Sequence, residues 1–171
     1  GRIGMDWYTN RRTNLEPYGT GYNADGAMNE IEQRVRETNL EYMIGFNQDF
    51  SDFGISGLFG GNWMRNSFET LNGSAGEFNI PFLHTIGNGG VQGISYGIRE
   101  FGINSLFGSA ELSWRDLVYL NATARNDWFS TLPAATNSIL YPSIGGSFVF
   151  SDAFELPDVI TFGRLRASWA Q

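Results

Sequence analysis

The stretch LVYLNATARNDW, residues 117–128, decides the fold. Val118, Leu120, Ala122, Ala124 and Trp128 fall on even positions, and Tyr119, Asn121, Thr123, Arg125 and Asp127 on odd ones; only Asn126 breaks the apolar set. Successive side chains of a strand point to opposite faces, so a period of two gives one greasy face and one wet face. The preceding stretch repeats this, with Leu106, Gly108, Ala110, Leu112 and Trp114 opposed to Ser105, Ser109, Glu111 and Ser113. Arg115 and Asp116 lie between the two, a gap short enough for a tight hairpin.

Working outward, Leu140, Ile144, Phe148 and Phe150 oppose Tyr141, Ser143 and Ser147, and Leu165, Ala167 and Trp169 oppose Arg164, Arg166 and Ser168. Upstream, Phe53, Ile55, Phe59 and Trp63 alternate with Gly54, Ser56, Gly60 and Asn62, and Leu40, Tyr42, Ile44 and Phe46 alternate with Glu41, Gly45 and Asn47. A partial strand over 3–8 brings the expected number to seven. Met28, Ile31 and Val35 keep a helical spacing that stops immediately afterwards.

Composition agrees with strands and turns. Of the 171 residues only 17% are charged, below the roughly 25% of an average soluble domain, while aromatics make up 15% and glycines number 22. The net charge is -7, all eleven basic residues are arginine, and no basic run occurs. Nucleic-acid binding, which rests on clustered Lys and Arg neutralising phosphates, is therefore not expected. The absence of cysteine removes disulfide scaffolds, thiol nucleophiles and zinc fingers together. No apolar run approaches the roughly 18 residues of a spanning helix, and GRIGMDWYTN at 1–10 lacks the layout of a signal peptide. Membrane-spanning strands escape that test, because they alternate faces.

The connections carry topology. Those at 48–52, 115–116 and 151–158 are expected to be short, and those at 9–27, 67–94 and 129–137 long and rich in Gly, Asn, Ser and Thr. Short turns at one rim and long loops at the other are the asymmetry of outer-membrane barrels. From Phe53 to Trp63 is ten steps, about 33 Å of strand, which a tilt of about 40° projects to about 25 Å, the height of the apolar band of such barrels. A soluble β-sandwich alternates in the same way and turns every 8–12 residues. Alternation alone leaves both architectures open.

The run SLFGSAELSWRDLVYLNATARNDWFSTLP at 105–133, LYPSIGGSFVFSDAFELPD at 140–158 and FGRLRASWAQ at 162–171 resembles the SusC/RagA-type TonB-linked outer-membrane transporters. GEFNIPFLHTIGNG at 76–89 is similar to an extracellular loop of that family. The resemblance implies an all-β fold, residues 1–171 being a segment of about seven antiparallel strands from a 22-stranded, plugged transmembrane barrel of the bacterial outer membrane. The matched positions are barrel wall and loops, with no plug domain, TonB box or C-terminal strand. A seven-stranded piece with two open edges is not expected to insert alone, because only closed barrels satisfy every backbone group in lipid. The resemblance further implies import of oligosaccharides or peptides, a SusD-like surface lipoprotein as lid, energy through TonB, and no enzymatic activity. A secreted sandwich that binds glycans and a passive porin are the alternatives.

On the barrel reading the wall facing the lumen carries Tyr119, Asn121, Thr123, Arg125, Asp127, Tyr141, Ser143 and Ser147. Arg125 on the lipid face would cost up to about 2–4 kcal/mol at mid-bilayer. The aromatics Phe78, Phe82, Tyr96 and Trp128 are expected in long loops, to stack on sugars, meet the lid, or pack the loops together.

Other chemistry is weaker. GNGGVQG at 87–93 lacks the following helix of a phosphate loop. Asn23, Asp25, Gly26 and Glu32 match positions 3, 5, 6 and 12 of a calcium loop, but Gly21 stands where the first carboxylate belongs, which leaves at most a looser surface calcium site and no expected cofactor. His84 is the only imidazole, so neither a triad nor a multi-His metal site is expected. Glu111 with Asp116, or Asp49 with Asp52, could be drawn as a glycosidase pair, but nothing sets them across a cleft.

Overall fold

The computed structural model describes residues 1–171 except Leu156 and Asp158. Seven strands, β1 (Arg2–Glu16), β2 (Ala27–Phe50), β3 (Phe53–Phe78), β4 (Gly89–Trp114), β5 (Val118–Phe129), β6 (Ser138–Val149) and β7 (Arg164–Ala170), form one sheet in the order β1-β2-β3-β4-β5-β6-β7. Each strand pairs with its neighbour in the chain, so the sheet is a meander. Met28, Ile31 and Val35 lie in β2, not in a helix.

The period of two survives pairing. On one face Ala122 sits between Ala110 and Ile144, and Leu120 between Leu112 and Gly146. On the other Thr123 sits between Ser109 and Ser143, and Tyr119 between Ser113 and Ser147. Register therefore stacks apolar on apolar and polar on polar, the arrangement a one-residue slip would destroy.

The sandwich alternative is overturned. A sandwich interdigitates two inner faces into a core about 10 Å thick, whereas the buried apolar residues among those described are Met28, Ala75, Phe78 and Val149, and no large side chain is fully buried. Leu120, Ile144 and Leu165 remain 53%, 58% and 64% exposed on the apolar face. Their neighbours Leu112, Leu140 and Trp169 continue the same exposed strip. A soluble monomer does not normally leave so continuous an apolar surface uncovered.

Two expectations about connections are corrected. Part of 9–27 and most of 67–94 is strand: β1 runs to Glu16, β2 begins at Ala27, β3 ends at Phe78 and β4 begins at Gly89, leaving loops 17–26 and 79–88. Polar pairs between strands support these extensions: Arg11 with Glu30, Asn66 Nδ2 donating to Glu37 Oε2 at 3.3 Å, and Tyr96 Oη donating to Glu69 Oε2 at 3.4 Å. The joint from β6 to β7 is 150–163, longer than the short turn expected at 151–158, whose last residue, Asp158, lies outside the described residues. Aromatic packing organises it. Phe154 meets Phe148 edge to face at 6.2 Å, the Phe150 ring covers Gly163, and the Ser151 amide donates to the Gly163 carbonyl at 3.2 Å.

The chain divides into two compact units. The first comprises Gly1–Ile3, Asn39–Met64 and Gly102–Gln171. It holds the two-faced part of the sheet, and large rings cover its glycines: a Cβ at Gly57 would lie 2.5 Å from the Phe46 ring, one at Gly61 2.6 Å from the Tyr42 hydroxyl, and one at Gly60 2.7 Å from the Phe107 ring. Such cross-strand aromatic contacts restore packing where glycine supplies none. The second unit, Gly4–Thr38 and Arg65–Phe101, has a small core of Met28, Ala75 and Phe78 with Ile86 against it.

Candidate functional site, a polar wall

All eight expected wall residues lie on one face. Tyr119 pairs with Ser147, Thr123 with Ser143, Arg125 with Tyr141; Asn121 and Asp127 share their parity on β5. β4 and β7 extend the ladder, adding Ser105, Phe107, Ser109, Glu111 and Ser113 on one side and Arg164, Arg166 and Ser168 on the other.

These side chains bond laterally. The Arg125 guanidinium donates from Nε to Asp127 Oδ1 at 2.8 Å and from Nη2 to Ser105 Oγ at 3.1 Å, and lies over the Phe107 ring at 6.0 Å. Asp127 is buried, which its pairing makes tolerable. The hydroxyls of Thr123 and Ser143 are 2.6 Å apart. Arg164 donates from Nη2 to Ser147 Oγ at 2.7 Å and lies over the Tyr119 ring at 5.3 Å. Tyr119 Oη in turn donates to Asp116 Oδ1 at 3.3 Å.

Toward the 115–117 turn the face hollows into an open concavity of about 320 Å³, lined by Glu111, Tyr119, Asn121, Ser147, Arg164 and Arg166 among others. On its floor Gly145 pairs with Asn121 and Ser168, and the Asn121 carboxamide lies over the space that the missing side chain leaves. Arg164, Arg166, Glu111 and Gly145 are absent from the wall residues chosen by sequence. Strand parity alone places Arg164, Arg166 and Glu111 on the polar face; the hollow depends on register across strands.

The aromatic expectations need correction. Phe82 is in a loop, 76% exposed, with its ring 6.4 Å from that of Tyr18. Phe78 is the last residue of β3 and is buried, its ring 5.9 Å from His84. Tyr96 lies within β4 and Trp128 within β5, on the face opposite Asp127, since the extended ladder and the period of two claim both. Loop 79–88 is organised instead by Asn88, which no local motif marks. Its Nδ2 donates to the carbonyls of Ile80 and Leu83 at 2.8 and 2.7 Å, and its Oδ1 accepts from the Ile80 amide at 3.0 Å.

The weaker motifs are placed as follows. GNGGVQG runs into β4, not a helix. Asn23 donates to Glu16 at 2.7 Å and Glu32 pairs with Arg34 at 2.6 Å; no group of three or more potential metal ligands occurs among the described residues. Asp52 is taken by Arg115 at 2.9 Å, and Asp116 by Tyr119. Away from the two-faced region, Arg115 and Arg34 are held above the usual guanidinium value by hydrogen bonds to Asp52 and Glu32. The Tyr96 phenol is raised by loss of water around it and by the Glu69 carboxylate.

A single-layer meander with an exposed apolar face and a laterally bonded polar face defines a class: a segment of β-barrel wall. No family model matches the chain, and no curated protein does. Solved structures do match. The RagAB peptide transporter aligns with a TM-score of 0.84 at 16% identity over 98% of this chain, and the RagAB peptide importer aligns at 17% identity in its closed-closed and open-open states, with TM-scores of 0.87 and 0.86. The chain spans 19–20% of the length of those chains. At these identities the likeness establishes the fold.

Proposed function

We propose that this chain forms part of the wall of a large outer-membrane β-barrel that imports oligosaccharides or peptides, with a SusD-like lipoprotein as lid and TonB as the source of energy. It acts as a transporter and not as an enzyme, and needs no cofactor. The observation that carries this is the split between the two faces: Leu120, Ala122 and Ile144 lie exposed on one, while Arg125, Asp127, Arg164 and Arg166 lie on the other. Lipid accepts the first face, and a wet lumen accepts the second without the roughly 2–4 kcal/mol that an arginine on the lipid face costs at mid-bilayer. The edges of the sheet, β1 and β7, need further strands, because a membrane leaves no backbone group unpaired. The RagAB likeness supports the same architecture and supports cargo import in kind.

The test is the protein in its source cells. A carbonate-resistant outer-membrane band, larger than 19 kDa and shifting mobility on boiling, is expected. Uptake of peptides or oligosaccharides should cease when TonB is disrupted. Conductance that persists without TonB would favour the passive porin, and a soluble 19 kDa band would sink the membrane reading.

A further inference from the structure

The concavity beside β7 combines features that the lateral bonding elsewhere on the wall does not. Arg164 and Arg166 project from the same face two residues apart, in a chain whose net charge is -7. Arg164 is already fixed by Ser147 and the Tyr119 ring, so little freedom remains to be lost when it meets a ligand. Arg166 makes no ion pair or side-chain hydrogen bond among the described residues, and it lines the concavity with Arg164, Asn121 and Ser168. The Asn121 carboxamide lies over Gly145 and forms the floor. Glu111, on the opposite side, is the one acidic group of the lining, against two guanidiniums. A guanidinium presents N–H groups in a fork that matches a carboxylate in two-pronged geometry.

We propose that this concavity is a binding site for a carboxylate carried by the cargo, with Arg166 as the principal contact and Arg164 as its pre-positioned partner. The proposal rests on the transporter reading and adds a charge selectivity to it. Acidic peptides and uronic-acid oligosaccharides both carry the required group.

The experiment uses the complete protein isolated from its source membranes in detergent, and fluorescence binding of four probes: an acidic hexapeptide, its methyl ester, a tri-uronate and its methyl ester. One acid is expected to bind about tenfold more tightly than its own ester, as a charge-assisted hydrogen bond allows, and that pair identifies the source of the carboxylate. Arg166→Gln should abolish the preference while leaving ester binding within about twofold, and Arg166→Lys should restore part of it. Gly145→Val, whose side chain would displace the Asn121 carboxamide from the floor without changing charge, should also weaken it. Equal binding of acid and ester by the native protein, or equal loss of both in Arg166→Gln with heat-modifiable mobility intact, overturns the site but not the transporter. A protein that shows no heat-modifiable outer-membrane band overturns both.

Discussion

Residues 117–128 and residues 79–88 are both ordered, yet by opposite means. In the first, the middle of β5 has no core: Leu120, Ala122 and Ala124 stay exposed, and order comes from backbone ladders on both sides and from lateral bonds such as Thr123 to Ser143. In the second, a loop is folded on Asn88, whose side chain makes three hydrogen bonds while only 6% exposed, next to the Met28, Ala75 and Phe78 core. On the proposed barrel reading, a strand with lipid on one side and water on the other needs no protein core, because register and parity do the sorting. A loop in water has neither, and must bury some apolar surface and satisfy its own polar groups.

The largest effect should come from breaking the face rule. Ala122→Arg puts a charge at the middle of the apolar face and should lower stability in lipid by about 2–4 kcal/mol. Thr123→Arg, one residue away on the polar face, removes one hydroxyl contact and should cost about 1 kcal/mol or less. Urea midpoints of the complete protein in vesicles separate the two, and equal costs would refute the assignment of faces.

Next is Asn88→Ala. It leaves the Ile80 amide without its partner and takes one of two donors from each of the Ile80 and Leu83 carbonyls, which keep the Leu83 and Thr85 amides, at about 1–3 kcal/mol of local stability. Proteolysis and hydrogen exchange should rise at 79–88 and stay unchanged at 117–128. A uniform rise across both would mean that the loop is not an independently organised element.

A smaller loss is expected for Gly26→Ala. Gly26 has φ +70°, a left-handed conformation that costs an ordinary residue about 1–2 kcal/mol, and its Cβ would lie 2.8 Å from the Phe78 ring and 3.0 Å from the Glu16 carbonyl. The Glu77 and Phe78 amides, which donate to the Gly26 and Asp25 carbonyls at 3.1 and 2.9 Å, should exchange faster in this variant.

The smallest effect concerns Tyr96, whose raised phenol should titrate above the ordinary tyrosine range near 10 in an ultraviolet titration. Glu69→Gln should bring it down only part of the way, since loss of water around the ring is the larger cause. A raised phenol favours the folded state below the ordinary value and loses that contribution as pH climbs through the higher one. Stability at neutral pH should therefore not respond to this group.

Strand parity was legible wherever a face was greasy. The eight wall residues from Tyr119 to Ser147 land together because each alternates with an apolar neighbour. It failed where the apolar face is sparse: Glu30, Glu32, Arg34 and Arg36 fill one face and only Ile31 and Val35 are apolar on the other, yet β2 runs through them as strand. It also failed where two distant residues meet. Nothing local marks Phe78 as core instead of an exposed loop aromatic, because its burial depends on Gly26 and His84 arriving from other segments. The concavity lies between these cases: strand parity puts Arg164 and Arg166 on the polar face, but the hollow itself depends on register across β5, β6 and β7.

The strict neighbour order of the sheet bears on how such a wall is built. Since β1 to β7 pair in succession, no strand waits for a partner made much later, and the chain segment to be closed at each step is a single connection. Closure entropy grows only slowly with the length of that connection, so even the longer joint from β6 to β7 adds little delay. Assembly can proceed hairpin by hairpin, with the newest strand always the one that templates the next. The 115–117 turn, where Arg115 and Asp116 both adopt positive φ and the Leu117 amide closes on the Trp114 carbonyl at 2.9 Å, has the geometry to start such a step early.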